Sequence, residues 1–495
     1  MVIIMKKRFV SIMLLLSVVL SAASCGDEGG SSDTTVSPDD VTGTTAPQEN
    51  EDPRGSVSDD LPEKNYGGAV FTIATETGNE WMVIQEESTG DVVDDAVYKR
   101  NLAVEDRFGV KLAVITDGYT EISQKISNMV QSGDDSIDLC MIHVVQAGKT
   151  AVNDIYMNWN DVPYVDFSKP WWADSTVDDL TVDDVCLLAV GDFALSALAN
   201  TYCMFYNKKL AEDYGIGDLY PIVNEGKWTI DKLLETTKDS YVDVNSDGRA
   251  DGEDQFGFVT TSRSALNTYL WSFGGHVLKK NNDGDVELVY HSDRTSDMVT
   301  KLCSVFYDNN GIYINSKEPE YSSFFAIDTF NDCRAVFING SLGNAVQYFR
   351  DMKDDFGILP YPKWNEAQEN YYTMVDGSHD VLAVPASISD VERVGIITEA
   401  LCAESYKKLV PAYYEVALKT KYTRDDESIA MIDMIAASRV FDLGYVYDGW
   451  KGASFIFQNL IAENNPNFES YWASKESSVT EYYDKVIDYF ENYGK

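Results

Sequence analysis

Positive charge is what this chain most lacks. Its 495 residues carry 39 Lys and Arg against 81 Asp and Glu, a formal net charge of −42 at pH 7. A field of that sign repels nucleic acid, anionic lipid surfaces and polyanionic ligands. It suits neutral or cationic small ligands and bound cations, although acidity alone also keeps a protein soluble. Cysteine is scarce too. Apart from Cys25 there are Cys140, Cys186, Cys203, Cys303, Cys333 and Cys402, with no C-x-x-C and no regular spacing. A chain of this size needs no disulfide framework, so buried thiols are expected more than bridges. The four histidines show no H-E-x-x-H spacing, and there is no G-x-S-x-G, which removes two common hydrolase signatures. Ala147-Gly148-Lys149-Thr150 imitates the end of a phosphate loop, but His143 stands where its first glycine must be. Beyond the N-terminus no apolar run is long enough to span a bilayer.

The N-terminus is different. Met5-Lys6-Lys7-Arg8 precedes a short apolar run, Phe9 to Leu20, and then Ser21-Ala22-Ala23-Ser24-Cys25. A basic start, an apolar core and small residues make a secretory signal, here residues 1–24. Cysteine directly after the small residues resembles a bacterial lipobox, with Ala22 where leucine is usual. The resemblance implies lipidation of Cys25 and a protein held at the extracellular face of the cell membrane; ordinary secretion is the alternative. Gly26 to about Lys64 is rich in Gly, Ser, Thr, Asp and Pro, so 25–64 is expected to be a lipidated cysteine and a flexible linker.

Roughly 430 residues remain, too many for one core, and two lobes are expected. Gly68 to Thr75 reads as a buried strand, Asp94 to Phe108 as a helix stopped by Gly109, and Val110 to Ile115 as a strand. A helix around Thr120 to Gln131 and a strand over Ser136 to Ile142 follow. Strand, helix, strand, helix, strand is the pattern of a parallel α/β sheet. Ligands of such sheets sit beyond the carboxyl ends of the strands, which points to Glu76 to Trp81 and to His143 to Gln146.

Further on the chain carries Leu198 to Leu210 (LANTYCMFYNKKL), Gly226-Lys227-Trp228-Thr229 opening a helix, and Trp271-Ser272-Phe273-Gly274-Gly275-His276. Phe337-Ile338-Asn339-Gly340-Ser341, Phe356 to Pro362 and Val381 to Ser387 complete the set. In this order these segments resemble the extracellular solute-binding proteins of ABC importers, the carbohydrate class that includes maltose-binding protein. The resemblance implies an α/β, two-lobed periplasmic-binding-protein-like fold (type II), with lobe 1 at 66–190 plus 356–410 and lobe 2 at 191–355 plus 411–495. It implies a monomer that captures a neutral sugar or oligosaccharide by lobe closure, without catalysis, and delivers it to a membrane permease. A peptide or polyamine receptor, a glycan-adhesion protein and a secreted glycan-active enzyme are the rivals; among 81 acidic residues no catalytic carboxylate pair can be picked out.

Neutral sugars are held by aromatic faces and planar polar groups. The candidate ligand contacts are Glu76, Trp81, His143, Asn200, Tyr202, Trp271, His276, Asn339, Asp376, His379 and Trp450. The resemblance places stacking at His276, a polar contact at Asn200 and a further stacking aromatic at Ser341 to Asn344, where this chain has none. Trp171-Trp172 reads equally as a stacking platform or as packing. Asp243-Val244-Asn245-Ser246-Asp247-Gly248-Arg249-Ala250-Asp251-Gly252-Glu253-Asp254 has the spacing of a calcium loop. Asp243, Asn245, Asp247 and Asp254 would supply side-chain oxygens, Arg249 a carbonyl, and Asp251 would act directly or through water, holding a structural Ca2+.

Overall fold

Apolar runs and capped helices assemble here into two sheets. The computed structural model describes residues 52–238, 240–260, 263–314, 323–419 and 426–494. The signal, Cys25, the linker as far as Glu51 and the remaining gaps lie outside the described residues. Pro53–Lys495 forms one compact unit. Its strands are β1 (Ala69–Glu76), β2 (Val110–Asp117), β3 (Leu139–His143), β4 (Tyr202–Asn207), β5 (Phe256–Val259), β6 (Leu278–Lys280), β7 (Val286–Leu288), β8 (Ile312–Tyr313), β9 (Ala335–Ser341), β10 (Phe356–Leu359), β11 (Thr373–Met374), β12 (Asp380–Ala383) and β13 (Arg439–Val440).

The first sheet has the order β12-β3-β1-β2 and the second β10-β4-β9-β5-β8. β1 runs parallel to β2 and β3, as expected. β12 is antiparallel to β3, and β4 is antiparallel to both β9 and β10, so neither sheet is wholly parallel. Strand periodicity reports burial but not direction, which depends on the end from which the chain re-enters a sheet. The expected boundary at 356 is also corrected for one strand. Phe356–Leu359 hydrogen-bonds to β4 and so belongs to the second sheet.

The helix Val92–Phe108 shows why the local reading worked. The Asp91 carboxylate accepts from the Val93 and Asp94 amides, and Gly109 ends the helix in the left-handed conformation at φ 59°. Thr229 caps the helix Ile230–Thr237 through the Lys232 amide, as the Trp-Thr start suggested. Two apolar cores each run from one sheet to the other. One contains Ala74, Cys140, Met204 and Phe337, and the other Phe71, Met141, Phe205 and Ile338.

Residues 53–64 depart from the flexible-linker expectation. Leu61 is buried, Arg107 bonds the Asp59 carboxylate at 2.5 Å, and Lys169 bonds Asp60 at 2.5 Å. Composition marks the segment as polar, but one leucine and two ion pairs are enough to hold its end against the body. The six cysteines after Cys25 are unpaired, five of them buried. No described helix is long and apolar enough to cross a membrane.

Candidate functional site

The carboxyl ends of β1 and β3 meet the amino end of β12, and a polar cluster forms there. Glu76 closes β1, and its Oε1 accepts the His143 amide at 3.1 Å. Burial raises the Glu76 pKa, opposed by that same amide bond. His143 closes β3 directly opposite Asp380, the first residue of β12. Its Nδ1 accepts the Val145 amide at 3.3 Å, capping the helix Val144–Ala151 and leaving Nε2 to carry the proton. Burial lowers the His143 pKa, and the Asp376 charge works against it.

Asp380 is fully buried. Ser196 Oγ donates to its carboxyl at 2.7 Å and Asn79 Nδ2 at 3.0 Å. Desolvation pushes its pKa up to about 7, the Glu76 charge adding to the rise. The turn before it is tied to the second sheet. Tyr202 OH, at the start of β4, donates to Asp376 Oδ2 at 2.9 Å. Asp376 Oδ1 accepts from Ser378 N and Oγ at 2.9 and 2.7 Å, and Asn200 Nδ2 donates to Ser378 Oγ at 3.3 Å. Thr201 bridges Val375, and the Leu342 amide bonds Thr201 O at 2.9 Å. The cluster therefore sits where the two sheets join. It is rich in hydrogen-bonding groups of both kinds, which suits a polyhydroxylated ligand.

An aromatic file leads outward from the same turn. A side chain added at Gly377 would collide with the Tyr445 hydroxyl. Tyr445 lies 5.8 Å from Phe455, and Trp450 stacks on Phe455 with centroids 4.7 Å apart and planes 14° apart. Trp450 is 55% exposed. Beside it a cavity of about 230 Å3 is lined by Lys451, Asn459, Tyr471 and Lys475. A larger groove, about 660 Å3, lies between Val152, Lys451 and the helix Glu476–Glu491. Lys451 lines both.

Of the eleven candidate contacts, Glu76, His143, Asn200, Tyr202, Asp376 and His379 come together. Trp81 lies in the short helix Glu80–Val83, which Asn79 precedes, and is exposed. His379 is buried, its Nδ1–H donating to Asp376 O at 2.7 Å, and burial drops its pKa to about 4. It and the buried Tyr202 brace the turn and present little surface. Trp271 is a correction. It is buried, with Nε1 donating to Asp442 at 2.9 Å, and it packs edge-on to Tyr445. Asn339 is likewise buried in mid-strand opposite Met204. His276 lines a separate cavity of about 280 Å3 with Asp178, Asp179, Lys280 and Asp442. Trp171 and Trp172 are also buried and donate to Glu399 at 2.8 and 2.9 Å, so the packing reading holds for them. Asn79 lies in the marked loop Glu76 to Trp81, and Ser378 and Asp380 flank the candidate His379 in sequence. Ser196 had no local signal, since it precedes the LANTYC segment and matters only through Asp380.

In the acidic loop, Asp243 Oδ2 accepts the Gly248 amide at 3.0 Å, Asn245 the Asp247 amide at 3.0 Å and Asp247 the Arg249 amide at 2.8 Å. Asp254 is turned inward onto Val244 N and Tyr241 OH, each at 3.0 Å, and Asp251 accepts the Glu253 amide at 3.0 Å. Among the described residues no three acidic, His or Cys side chains converge as a metal site. Asp243 Oδ1 is enclosed and has no hydrogen-bond partner among the described residues.

Several solved structures share the fold. The maltose/maltodextrin-binding domain MalE of Bdellovibrio bacteriovorus, bound to maltotriose, matches with a TM-score of 0.53 at 16% identity, over 84% of this chain and 100% of that one. The Listeria monocytogenes ABC substrate-binding protein Lmo0181, in complex with cycloalternan, matches with 0.51 at 11% identity, over 85% and 99%. An ABC-transporter solute-binding protein of Agrobacterium radiobacter in complex with ribitol matches with 0.51 at 14% identity, over 84% and 99%. No curated protein matches by sequence. The profile of the family described as bacterial extracellular solute-binding protein matches residues 103–402, more than half of the chain. The chain belongs to the bacterial extracellular solute-binding protein family.

Proposed function

We propose that this protein is the substrate-binding lipoprotein of an ABC importer, tethered through Cys25, that captures a carbohydrate and presents it to a membrane permease. The observation that carries the reading is the joint itself. Hydrogen-bonding groups that precede β4 and β12 (Asn200, Asp376, Ser378) meet at the turn from which Tyr445 and Phe455 lead to the exposed Trp450. Aromatic faces take the apolar side of a pyranose and the amide, hydroxyl and carboxylate groups take its hydroxyls. The ligand stabilises the state in which both sheets contact it, and no covalent step is needed. The bound sugars of the structural relatives support the substrate class.

The test is thermal unfolding of the protein against neutral oligosaccharides, peptides and polyamines, with product analysis. A ligand at a hundred times its Kd adds about 2.7 kcal/mol, a readily measured shift. A shift with a glycan and no product supports the reading. A shift with peptides alone overturns the sugar assignment, and glycan turnover overturns the receptor.

The proposal extends to a hard divalent cation in the loop from Asp243 to Asp254. Its support is the ligand spacing and the enclosed, unpartnered Asp243 Oδ1. Asp247 and Asp251 would hold it through Oδ2, since their amide bonds are taken at Oδ1. Calcium is expected to raise the melting temperature, with Asp243→Ala abolishing the rise; equal melting with calcium and with chelator refutes it.

A further inference from the structure

Around Trp450 the local charge runs against that of the chain. Lys451 belongs to both cavities, Lys475 to the smaller and Lys485 to the larger. Lys485 is paired with Glu481 at 2.7 Å. Lys451 and Lys475 have no acidic side-chain partner among the described residues, in a protein carrying 81 acidic groups. The acidic residue lining the smaller cavity, Asp448, is turned inward. It is fully buried and accepts from Ser454 N at 3.0 Å and Tyr483 OH at 3.1 Å.

The turn that presents these groups is built with care. Gly449 and Trp450 both take left-handed φ, 54° and 66°. For a bulky tryptophan this conformation is costly, and it persists only where the surroundings enforce it. They do so here. A side chain at Gly449 would meet the Tyr482 hydroxyl at 2.6 Å, and one at Gly452 would collide with Tyr483. Tyr482 OH in turn holds Tyr447 O at 2.6 Å. The result is a half-exposed tryptophan that lines one cavity with Lys451, Lys475 and Asn459, whose Oδ1 accepts from Arg263 at 3.0 Å.

Resting on the carbohydrate reading above, we infer that this smaller cavity beside Trp450 takes a uronate residue of an acidic oligosaccharide. Trp450 receives the face of the pyranose ring. Lys451 and Lys475 receive its carboxylate, which on a uronic acid projects in the plane of the ring, towards the edge of the stacking face. A neutral sugar offers either lysine hydroxyl acceptors but no charge to pair with. The overall negative field does not forbid this, because charges beyond about 8–10 Å are largely screened at physiological salt, whereas contacts at the cavity are not.

Isothermal titration of the purified protein tests it, using galacturonate and mannuronate trisaccharides with maltotriose as the neutral control. An acidic trisaccharide is expected to bind more tightly than maltotriose, and its affinity to fall with added salt. Lys451→Gln and Lys475→Gln should each weaken it about tenfold, 1.4 kcal/mol, without changing the melting temperature of the free protein. Trp450→Ala should weaken both kinds of sugar. Binding of maltotriose without binding of either uronate overturns the inference and leaves the carbohydrate reading standing. Uronate binding that both lysine variants retain in full overturns it as well, and binding of no saccharide at all removes both.

Discussion

Asp380 gives the sharpest test of how the joint between the sheets is held. Its carboxyl is fully buried, accepts from Ser196 and Asn79, and titrates at about 7 when folded against 3.8 when unfolded. A raised carboxyl pKa means that the folded state keeps a proton that the unfolded state gives up. The contribution to stability is therefore complete below pH 3.8, declines as pH rises to about 7, and is flat above. Each pH unit in that window costs about 1.4 kcal/mol, so the full decline is about 4 kcal/mol. Asp380→Asn removes the titration. It replaces one acceptor by an amide and so carries a fixed cost, but that cost does not vary with pH. Urea unfolding at several pH values between 4 and 8 would measure the difference between the two proteins. The variant should gain on the wild type by up to about 4 kcal/mol as pH rises across the window. The difference isolates Asp380, because Asp192 and Glu399, also raised to about 7 by desolvation, are common to both proteins. Parallel stability curves would refute the assignment of a proton to Asp380.

Gly148→Ala should destabilise the protein by about 3 kcal/mol in urea unfolding. The new methyl would overlap the Val446 carbonyl, and this overpacking outweighs the helix-propensity gain of about 1 kcal/mol. The six thiols predict a labelling pattern. Under native conditions a maleimide should reach Cys333, which is partly exposed, and spare the five buried cysteines, while reductant leaves the melting temperature unchanged. A thermal shift on reduction would mean that a bridge exists. Tyr202→Phe deletes the donor to Asp376 and should cost about 1 kcal/mol of stability; if ligand affinity falls too, the turn is positioned by that bond.

Much of the joint was legible because its parts are local signals. Glu76 and His143 stand at strand ends, where an α/β sheet exposes its carboxyl edge. Asp376 to Asp380 is a polar run breaking into a β-branched strand. The failures have equally physical causes. Trp271 and Asn339 carry the residue types of a sugar site, but side-chain type does not reveal which face of an element meets the core. Trp271 turned inward because Asp442 offered its indole a buried acceptor. The linker reading failed at Leu61 because composition averages over a segment, whereas a single buried side chain and two ion pairs decide whether its end is held.

Sequence alone determined the acidity, the succession of strands and helices, and the caps that delimit them. Each of these rests on groups a few residues apart, such as Asp91 with the amides of Val93 and Asp94. Tertiary structure alone decided the direction of β12, the sheet to which β10 belongs, and the meeting of Asn79 with Asp380 across 301 residues, Ser196 with Asp380 across 184 and Asn200 with Ser378 across 178. Such pairings follow from how the whole chain closes, because loop-closure entropy grows only slowly with length. Local spacing therefore carries little information about which distant segments become neighbours.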